Sequence, residues 1–278
     1  MTLTEKKACD IRADVVTLIH KAGCGHIGGD MSEVEALVAL YYKHLNCSPE
    51  NEADPDRDRF VLSKGHACPA LYAALAMRGY FPESALAMLR KRGGFLQGHP
   101  DMNSTPGVDM STGSLGQGFS AANGMALVAR RRNLGYRVYS ILGDGELQEG
   151  QVWEAAMFAA HYGLSNHTAF VDYNHLQIDG DVREVMNPLP IDEKFAAFGW
   201  HVQTIDGHDF EQIEQAVLRA ERDERPSVII CNTVKGKGVS YMENAAEWHG
   251  KAPDEKLYET ARKELYDAYM RAKEAREA

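Results

Sequence analysis

Two short apolar runs in the middle of the chain each end in residues that bind metal ions well. The first run stops at the GDG of residues 143–145, and the second leads into the DYN of residues 172–174. Apolar runs bounded in this way are typical of buried strands that enter tight turns. Open α/β sheets bind ligands at the carboxyl ends of their strands, so Asp144 and Asn174 could face one point.

Oxygen donors of this kind favour a hard cation. An aspartate carboxylate, an asparagine amide oxygen and a nearby backbone carbonyl suit Mg²⁺ or Ca²⁺ better than Zn²⁺. Three protein oxygens leave room in the coordination shell, which phosphate oxygens commonly fill. The residues therefore indicate a divalent cation that holds a phosphorylated ligand. In the alternative interpretation Asp144 only caps the next helix and Asn174 only forms a turn, which are common places for both residue types.

Four histidines, each close to a glycine, lie in four separate loops. Each one alone is typical of an exposed loop, but the four together indicate a common role. The first lies in a stretch that matches G-x-G-x-x-G, at residues 23–28, but the stretch follows a helix instead of the strand that a dinucleotide site requires. The four are His26, His66, His99 and His249.

The elements that must position these residues alternate along the chain, and they predict an α/β fold with a parallel sheet flanked by helices. A capping box, Ser32 to Glu35, predicts the start of one helix. The strand before Ser63-Lys64-Gly65-His66 should deliver a lysine and a histidine to a helix start, where a phosphate could bind. The predicted strands are 60–62, 138–142, 168–171, 202–205 and 228–234, and the predicted helices include 11–22, 67–78, 121–132 and 210–222.

Composition limits the functional classes. The 278 residues carry a formal net charge of −10, which argues against nonspecific nucleic-acid binding. Five scattered cysteines without a CxxC pair fit reduced thiols in the cytoplasm. The sequence contains neither an apolar run of membrane-spanning length nor a signal-peptide core, so no membrane association is expected. We expect one domain over residues 1–278, with a C-terminal helix at about 254–276.

The GDG motif, followed about thirty residues later by an asparagine, resembles the thiamine-diphosphate motif. Beyond this motif, the chain resembles the N-terminal, diphosphate-binding half of transketolase over nearly its whole length. The matching stretches are GHIGGD, SKGHACPALYAAL, QGHP, STGSLGQGFSAANGMALVAR, GDGELQEG, DYNHLQIDG and EWHGKAP. Their number and order are far more specific than the GDG motif alone.

The resemblance implies a role for each matching residue. Histidines would face the sugar hydroxyls and move protons, for which neutral imidazole is suited near pH 7. A glutamate, Glu149, would belong to a carboxylate chain between the two active sites of a dimer, and Ile178 would pack near the thiazolium. The implied catalytic residues are His26, His99 and His249; the implied cofactor contacts are His66, Gly113, Leu115, Gly145, Glu149 and Ile178; the implied ligands of Mg²⁺ or Ca²⁺ are Asp144, Asn174 and the carbonyl of Leu176.

The same resemblance implies a partner. In transketolases the groups that activate the aminopyrimidine and grip the sugar phosphate lie in a pyrimidine-binding domain and a C-terminal domain. We therefore expect a split enzyme with two copies of each chain, inactive without its partner, that moves a two-carbon ketol unit from a ketose phosphate to an aldose. The alternatives are another thiamine-diphosphate enzyme, such as a deoxyxylulose-phosphate synthase or the α chain of a dehydrogenase E1 component, and a non-catalytic binding subunit.

Overall fold

The computed structural model describes residues 1–277, with side chains as far as residue 274. Its strands are short, and four of them are mostly buried, as expected for strands covered on both faces. The strands are β1 (Arg59–Leu62), β2 (Val138–Gly143), β3 (His167–Tyr173), β4 (Leu176–Gln177), β5 (Gly180–Asp181), β6 (His201–Asp206) and β7 (Ser227–Asn232).

Helices occupy the connections between the strands and both ends of the described chain. Within the described residues, no helix combines the length and the apolar character that crossing a membrane requires. The helices are α1 (Leu3–Ala22), α2 (Ile27–Ser32), α3 (Val34–Ala39), α4 (Cys68–Met77), α5 (Gln117–Arg132), α6 (Gly150–His161), α7 (Val182–Met186), α8 (Ile191–Ala197), α9 (Phe210–Arg222) and α10 (Glu255–Glu277).

In the described part of the chain, five strands form one parallel sheet in the order β1-β2-β3-β7-β6. The short strands β4 and β5 pair separately and antiparallel. Because parallel strands run the same way, the residues that follow β1, β2, β3 and β7 all emerge at one edge of the sheet. The predicted fold class, a parallel sheet flanked by helices, is confirmed.

The sheet separates two apolar layers. Along β2, Tyr139 and Ile141 pack into one cluster, whereas Val138 and Leu142 pack into the other. Residues of α1, α3, α4 and α9 contribute to the first cluster, and residues of α5, α6 and α8 contribute to the second. Burial on both faces explains why β2 and β7 appear in the sequence as mainly apolar runs without alternation, whereas the edge strand β6 is largely half-buried or exposed.

The predicted capping box at the start of α3 is wrong. Ser32, which the motif needs as an extended N-cap, is instead the last residue of α2, and the backbone of Glu33 is also helical. The Ser32 hydroxyl instead donates to Asp172 at 2.6 Å. The Glu35 carboxylate accepts hydrogen bonds from Arg12 at 2.6 and 2.7 Å. Partners distant in sequence therefore replace the local bonds that the motif predicts.

Candidate functional site

The carboxyl edge of the sheet opens into a cavity of about 340 Å³. Residues from the loops that follow four strands line it, together with the loops that carry the four histidines. All twelve residues singled out from the sequence line this one cavity: His26, His66, His99, Gly113, Leu115, Asp144, Gly145, Glu149, Asn174, Leu176, Ile178 and His249.

The two oxygen-bearing side chains at the ends of β2 and β3 are held in one network. The Asp144 carboxylate accepts the backbone N–H of Gly145 at 2.8 Å and that of His175 at 2.6 Å. The amide oxygen of Asn174 accepts the backbone N–H of Leu176 at 3.1 Å. Asp144 thus also starts the short 3₁₀ helix Gly145–Gln148. Asp144 therefore caps a short helix, as the alternative interpretation predicts, and also lines the cavity.

These oxygens fit a divalent cation. Burial raises the pKa of Asp144, and so does the charge of Asp172, which means that the isolated carboxylate is unfavourable here. A bound cation would remove that penalty. Among the described residues, no group of three or more His, Cys, Asp or Glu side chains could hold a metal. A site here would therefore depend on one carboxylate, one amide and one carbonyl oxygen, which suits Mg²⁺ or Ca²⁺.

Lys235, which the sequence interpretation did not single out, places an ammonium group in the cavity. Its Nζ donates to the carbonyl of Leu176 at 2.9 Å and lies 3.0 Å from Nδ1 of His249. The residue is 2% exposed, and burial lowers its pKa. The only sequence signal for this role was the position of Lys235 shortly after β7. That position becomes informative only when the strand order, which places β7 beside β3, is known.

The four histidines form one cluster in the lining of the cavity. The ring centroid of His26 lies 5.1 Å from that of His66, 5.4 Å from that of His249 and 6.4 Å from that of His99. Burial, followed by nearby positive charge, lowers the pKa of His26 to about 4 and that of His249 to about 3. The same causes lower the pKa of His66 and His99. All four rings are therefore neutral near pH 7.

A glycine-rich loop brings backbone close to these rings. Gly113 has a φ of 139°, which side chains rarely tolerate. A Cβ atom at this position would lie 2.8 Å from Cδ2 of His99. The loop is anchored by the buried Glu146, which accepts the N–H of Gly116 at 2.8 Å and the hydroxyl of Ser63 at 2.5 Å. Glu146 is a second residue that the sequence interpretation missed.

Lys64 does not offer its charge to a phosphate as the sequence suggested. Its Nζ lies 2.6 Å from Asp172 and 3.2 Å from Glu33, and it donates to the carbonyl of Gly29 at 2.8 Å. The side chain is 1% exposed. Because the Asp172 carboxylate pairs with this ammonium group, Lys235 is the better candidate for attracting an anion.

Comparison with known proteins agrees with this geometry. Residues 4–270 match the family model described as "Transketolase, thiamine diphosphate binding domain". The chain belongs to the transketolase family.

Two curated transketolase subunits match nearly end to end. The chain is 51% identical over 257 residues to the 6-deoxy-6-sulfo-D-fructose transketolase subunit of Clostridium sp. (strain MSTE9), a match that covers 92% of this chain and 93% of that protein. It is 39% identical over 264 residues to an apulose-4-phosphate transketolase subunit of Actinobacillus succinogenes, covering 95% and 96%.

Solved transketolases share the fold but are longer. The crystal structure of the Campylobacter jejuni transketolase superimposes with a TM-score of 0.87 at 32% identity. The match covers 94% of this chain and 42% of that chain. This chain thus corresponds to the thiamine-diphosphate-binding part of a transketolase.

Proposed function

We propose that this chain is the N-terminal subunit of a two-chain transketolase. Its partner would carry the pyrimidine-binding and C-terminal domains, in an assembly with two copies of each chain. The proposal is supported by the relatives of matching length, which are named as subunits. It is also supported by the single cavity that unites the oxygen donors with the four imidazoles. The five free cysteines are consistent with a cytoplasmic location as part of this proposal.

In the proposed reaction a two-carbon ketol unit passes from a ketose phosphate to an aldose. Thiamine diphosphate, when bound, supplies the nucleophilic carbon for this chemistry. Asp144, Asn174 and the carbonyl of Leu176 would hold Mg²⁺ or Ca²⁺. The cofactor would be contacted by His66, Gly113, Leu115, Gly145, Glu149 and Ile178.

The remaining histidines are proposed to orient sugar hydroxyls and move protons. An ammonium group can only donate, so Lys235 fixes Nδ1 of His249 as an acceptor. The ring proton of neutral His249 then lies on Nε2, which can donate to a substrate oxygen. Burial and nearby positive charge keep His26 and His99 neutral, so each can accept a proton from a hydroxyl group near pH 7.

A sugar with a terminal sulfonate is a second candidate donor. The relative at 51% identity is named for 6-deoxy-6-sulfo-D-fructose. Both candidate sugars are ketoses with an anionic group at the far end, so the chemistry proposed for this chain is the same for both. A donor panel that contains both classes distinguishes them.

The test is a ketol-transfer assay on the chain isolated with the partner that accompanies it in stoichiometric amount. We expect transfer from at least one ketose phosphate or sulfonate to an aldose, dependent on thiamine diphosphate and Mg²⁺. Asp144→Ala should abolish metal-dependent cofactor binding in calorimetry. Decarboxylation without transfer would favour another thiamine-diphosphate enzyme, and cofactor binding without turnover would favour a binding subunit.

A further inference from the structure

A buried carboxylate at the end of β3 collects hydrogen-bond donors from three other segments. Asp172 is 2% exposed. It accepts hydrogen bonds from Nζ of Lys64 at 2.6 Å, from the hydroxyl of Ser32 at 2.6 Å and from the hydroxyl of Thr233. It also accepts one from Nδ2 of Asn174 at 3.0 Å. Asp172 does not line the cavity itself, so any effect on a ligand must pass through a neighbour.

The bond to Asn174 decides which way that amide faces. A carboxylate only accepts hydrogen bonds, so the amide of Asn174 must turn its NH₂ group toward Asp172. Its oxygen then turns the other way, where it accepts the N–H of Leu176, and the residue lines the cavity. A flipped amide would set two oxygens against each other and would present N–H donors to the cavity, which a cation cannot use.

The surrounding charges keep this arrangement in place. Lys64 lies within 2.6 Å of Asp172 and is itself buried. Its remaining contacts, to Glu33 and to the carbonyl of Gly29, hold the ammonium group between α2 and β3. A buried carboxylate with so many donors has little freedom to rotate away from Asn174.

We infer that Asp172 is a positioning residue, which orients the amide oxygen of Asn174 toward a divalent cation. The inference depends on the metal site of the proposed function. Asp172 would then strengthen metal binding without touching the metal, as hydrogen-bond partners of metal ligands commonly do.

The competing explanation is that Asp172 only stabilises the fold, since it joins α2, β3 and the segments that follow β1 and β7. Two matched variants separate these roles. Ser32→Ala and Thr233→Val each remove a donor to Asp172 and leave the bond to Asn174 intact. They should lower stability without loosening the metal, whereas Asp172→Ala, which removes the acceptor for Asn174, should do both.

The experiment measures Mn²⁺ binding by electron paramagnetic resonance, with thiamine diphosphate present, on the complex of this chain with its partner. Asp172→Ala, which leaves Nδ2 of Asn174 without this acceptor, should weaken Mn²⁺ binding by about 10- to 100-fold, the usual effect of losing such a partner. The two control variants should stay within about twofold of the wild type, well below that range.

A measurement on the wild-type protein covers the case in which Asp172→Ala fails to fold. With ¹⁵N-asparagine labelling, the side-chain NH₂ protons of Asn174 should exchange far more slowly than those of the exposed Asn244. Equal exchange rates would overturn the inference, and so would Mn²⁺ binding by Asp172→Ala within twofold of the wild type. If the wild type itself bound no Mn²⁺, the proposed metal site would fail and the inference with it.

Discussion

The ring centroids of the neighbouring histidines in the cavity lie 5.1 to 6.4 Å apart. At these distances four charged rings would repel one another, so they could not all carry a charge in a partly buried cavity. Burial and the neighbouring positive charges therefore favour the neutral form of every ring. A neutral ring can both accept and donate a hydrogen bond, which suits contact with sugar hydroxyl groups. The cluster thus keeps its proton-transfer capacity through the range in which an exposed histidine would titrate.

The lowered pKa values of His26 and His249 predict unusual titration curves. The ring Cε1–H signals of His26 and His249 should titrate with midpoints near 4 and 3, below the ordinary value of 6.5. A lowered pKa means that each ring becomes protonated only as the pH falls below its own midpoint. NMR of histidine-labelled protein checks this, with His26→Asn and His249→Asn to assign the signals. A midpoint near 6.5 for either ring would contradict the argument.

Lys235 gives a second prediction at the scale of single residues. Lys235→Met keeps the length of the side chain but removes the ammonium group that faces the cavity. Thiamine diphosphate should bind at least about tenfold more weakly in calorimetry at saturating Mg²⁺, because a hydrogen bond from a charged group contributes about 1.5–3 kcal/mol. The matched control is Lys237→Met, because Lys237 is more exposed and lies 4.0 Å from Glu243. Equal affinity in the wild type and Lys235→Met would remove this residue from the cofactor site.

The sequence predicted the residues of the site better than the contacts between them. Asp144, Asn174 and the histidines lie in short motifs whose residue types already indicate their chemistry. Lys235 and Glu146 carry no such signal of their own, and their roles depend on where β7 sits and on how far a loop folds back. The pairing of Lys64 with Asp172 joins residues 108 positions apart, which no local pattern reports.

At the scale of elements, one ionic cluster connects α1, α3 and the loops after β6 and β7. Arg12 on α1 binds the Glu35 carboxylate on α3 with both terminal nitrogens. His208 contacts the same carboxylate through Nδ1 at 3.0 Å, and its Nε2 accepts the N–H of Val234 at 2.9 Å. Val234 precedes Lys235, so the cluster also fixes the loop that brings the lysine into the cavity.

Glu35→Gln should therefore destabilise the protein by about 3 kcal/mol or more, because it leaves the buried Arg12 without its counter-charge. The pH dependence follows from the carboxylate. Burial alone would raise the pKa of Glu35, but Arg12 and His208 lower it to about 2. A lowered pKa gives stability that is present above about 4.5, the unfolded value, and is lost as the pH falls toward 2.

Urea unfolding of the wild type and Glu35→Gln at several pH values measures this contribution. The difference in unfolding free energy should be constant from pH 7 to about 5 and should shrink below the unfolded-state pKa. Asp10→Asn, which breaks the more exposed pair between Lys6 and Asp10, is the control and should cost less than about 1 kcal/mol. A difference that did not change with pH would show that Glu35 contributes through packing alone.

The same element shows why a sequence motif can mislead. Ser32 and Glu35 have the composition and spacing of a capping box, yet both face partners from other parts of the chain. A sequence motif indicates which local hydrogen bonds are possible. In the folded protein, Ser32 and Glu35 instead form hydrogen bonds with distant charged residues that are buried. Helix α9 behaves in the opposite way: its predicted bounds, 210–222, agree with the structure, and its start is fixed locally by the Asp209 side chain, which accepts the backbone N–H groups of Glu211 and Gln212.

At the scale of the molecule, the cavity is open beside an exposed apolar surface. Ile178 lines the cavity and is 69% exposed, and Met186 in the neighbouring helix α7 is 63% exposed. Exposed side chains of this kind beside a ligand site are typical of surfaces that another protein covers. This agrees with the proposal that a partner chain completes the site, and it explains why the isolated chain should hold substrate poorly.

Ketol-transfer activity should depend on the partner chain. The purified chain alone should show less than about 1% of the ketol-transfer rate of the complex, because losing catalytic groups from a site commonly costs 10² or more in rate. Adding the partner chain should restore activity, which should saturate at one partner per chain. The control is a chain with Asp144→Ala, which should form the same complex by light scattering but remain inactive, since the change affects the cation site and leaves the exposed surface intact. Full activity of the isolated chain, or saturation at another ratio, would contradict the two-chain enzyme.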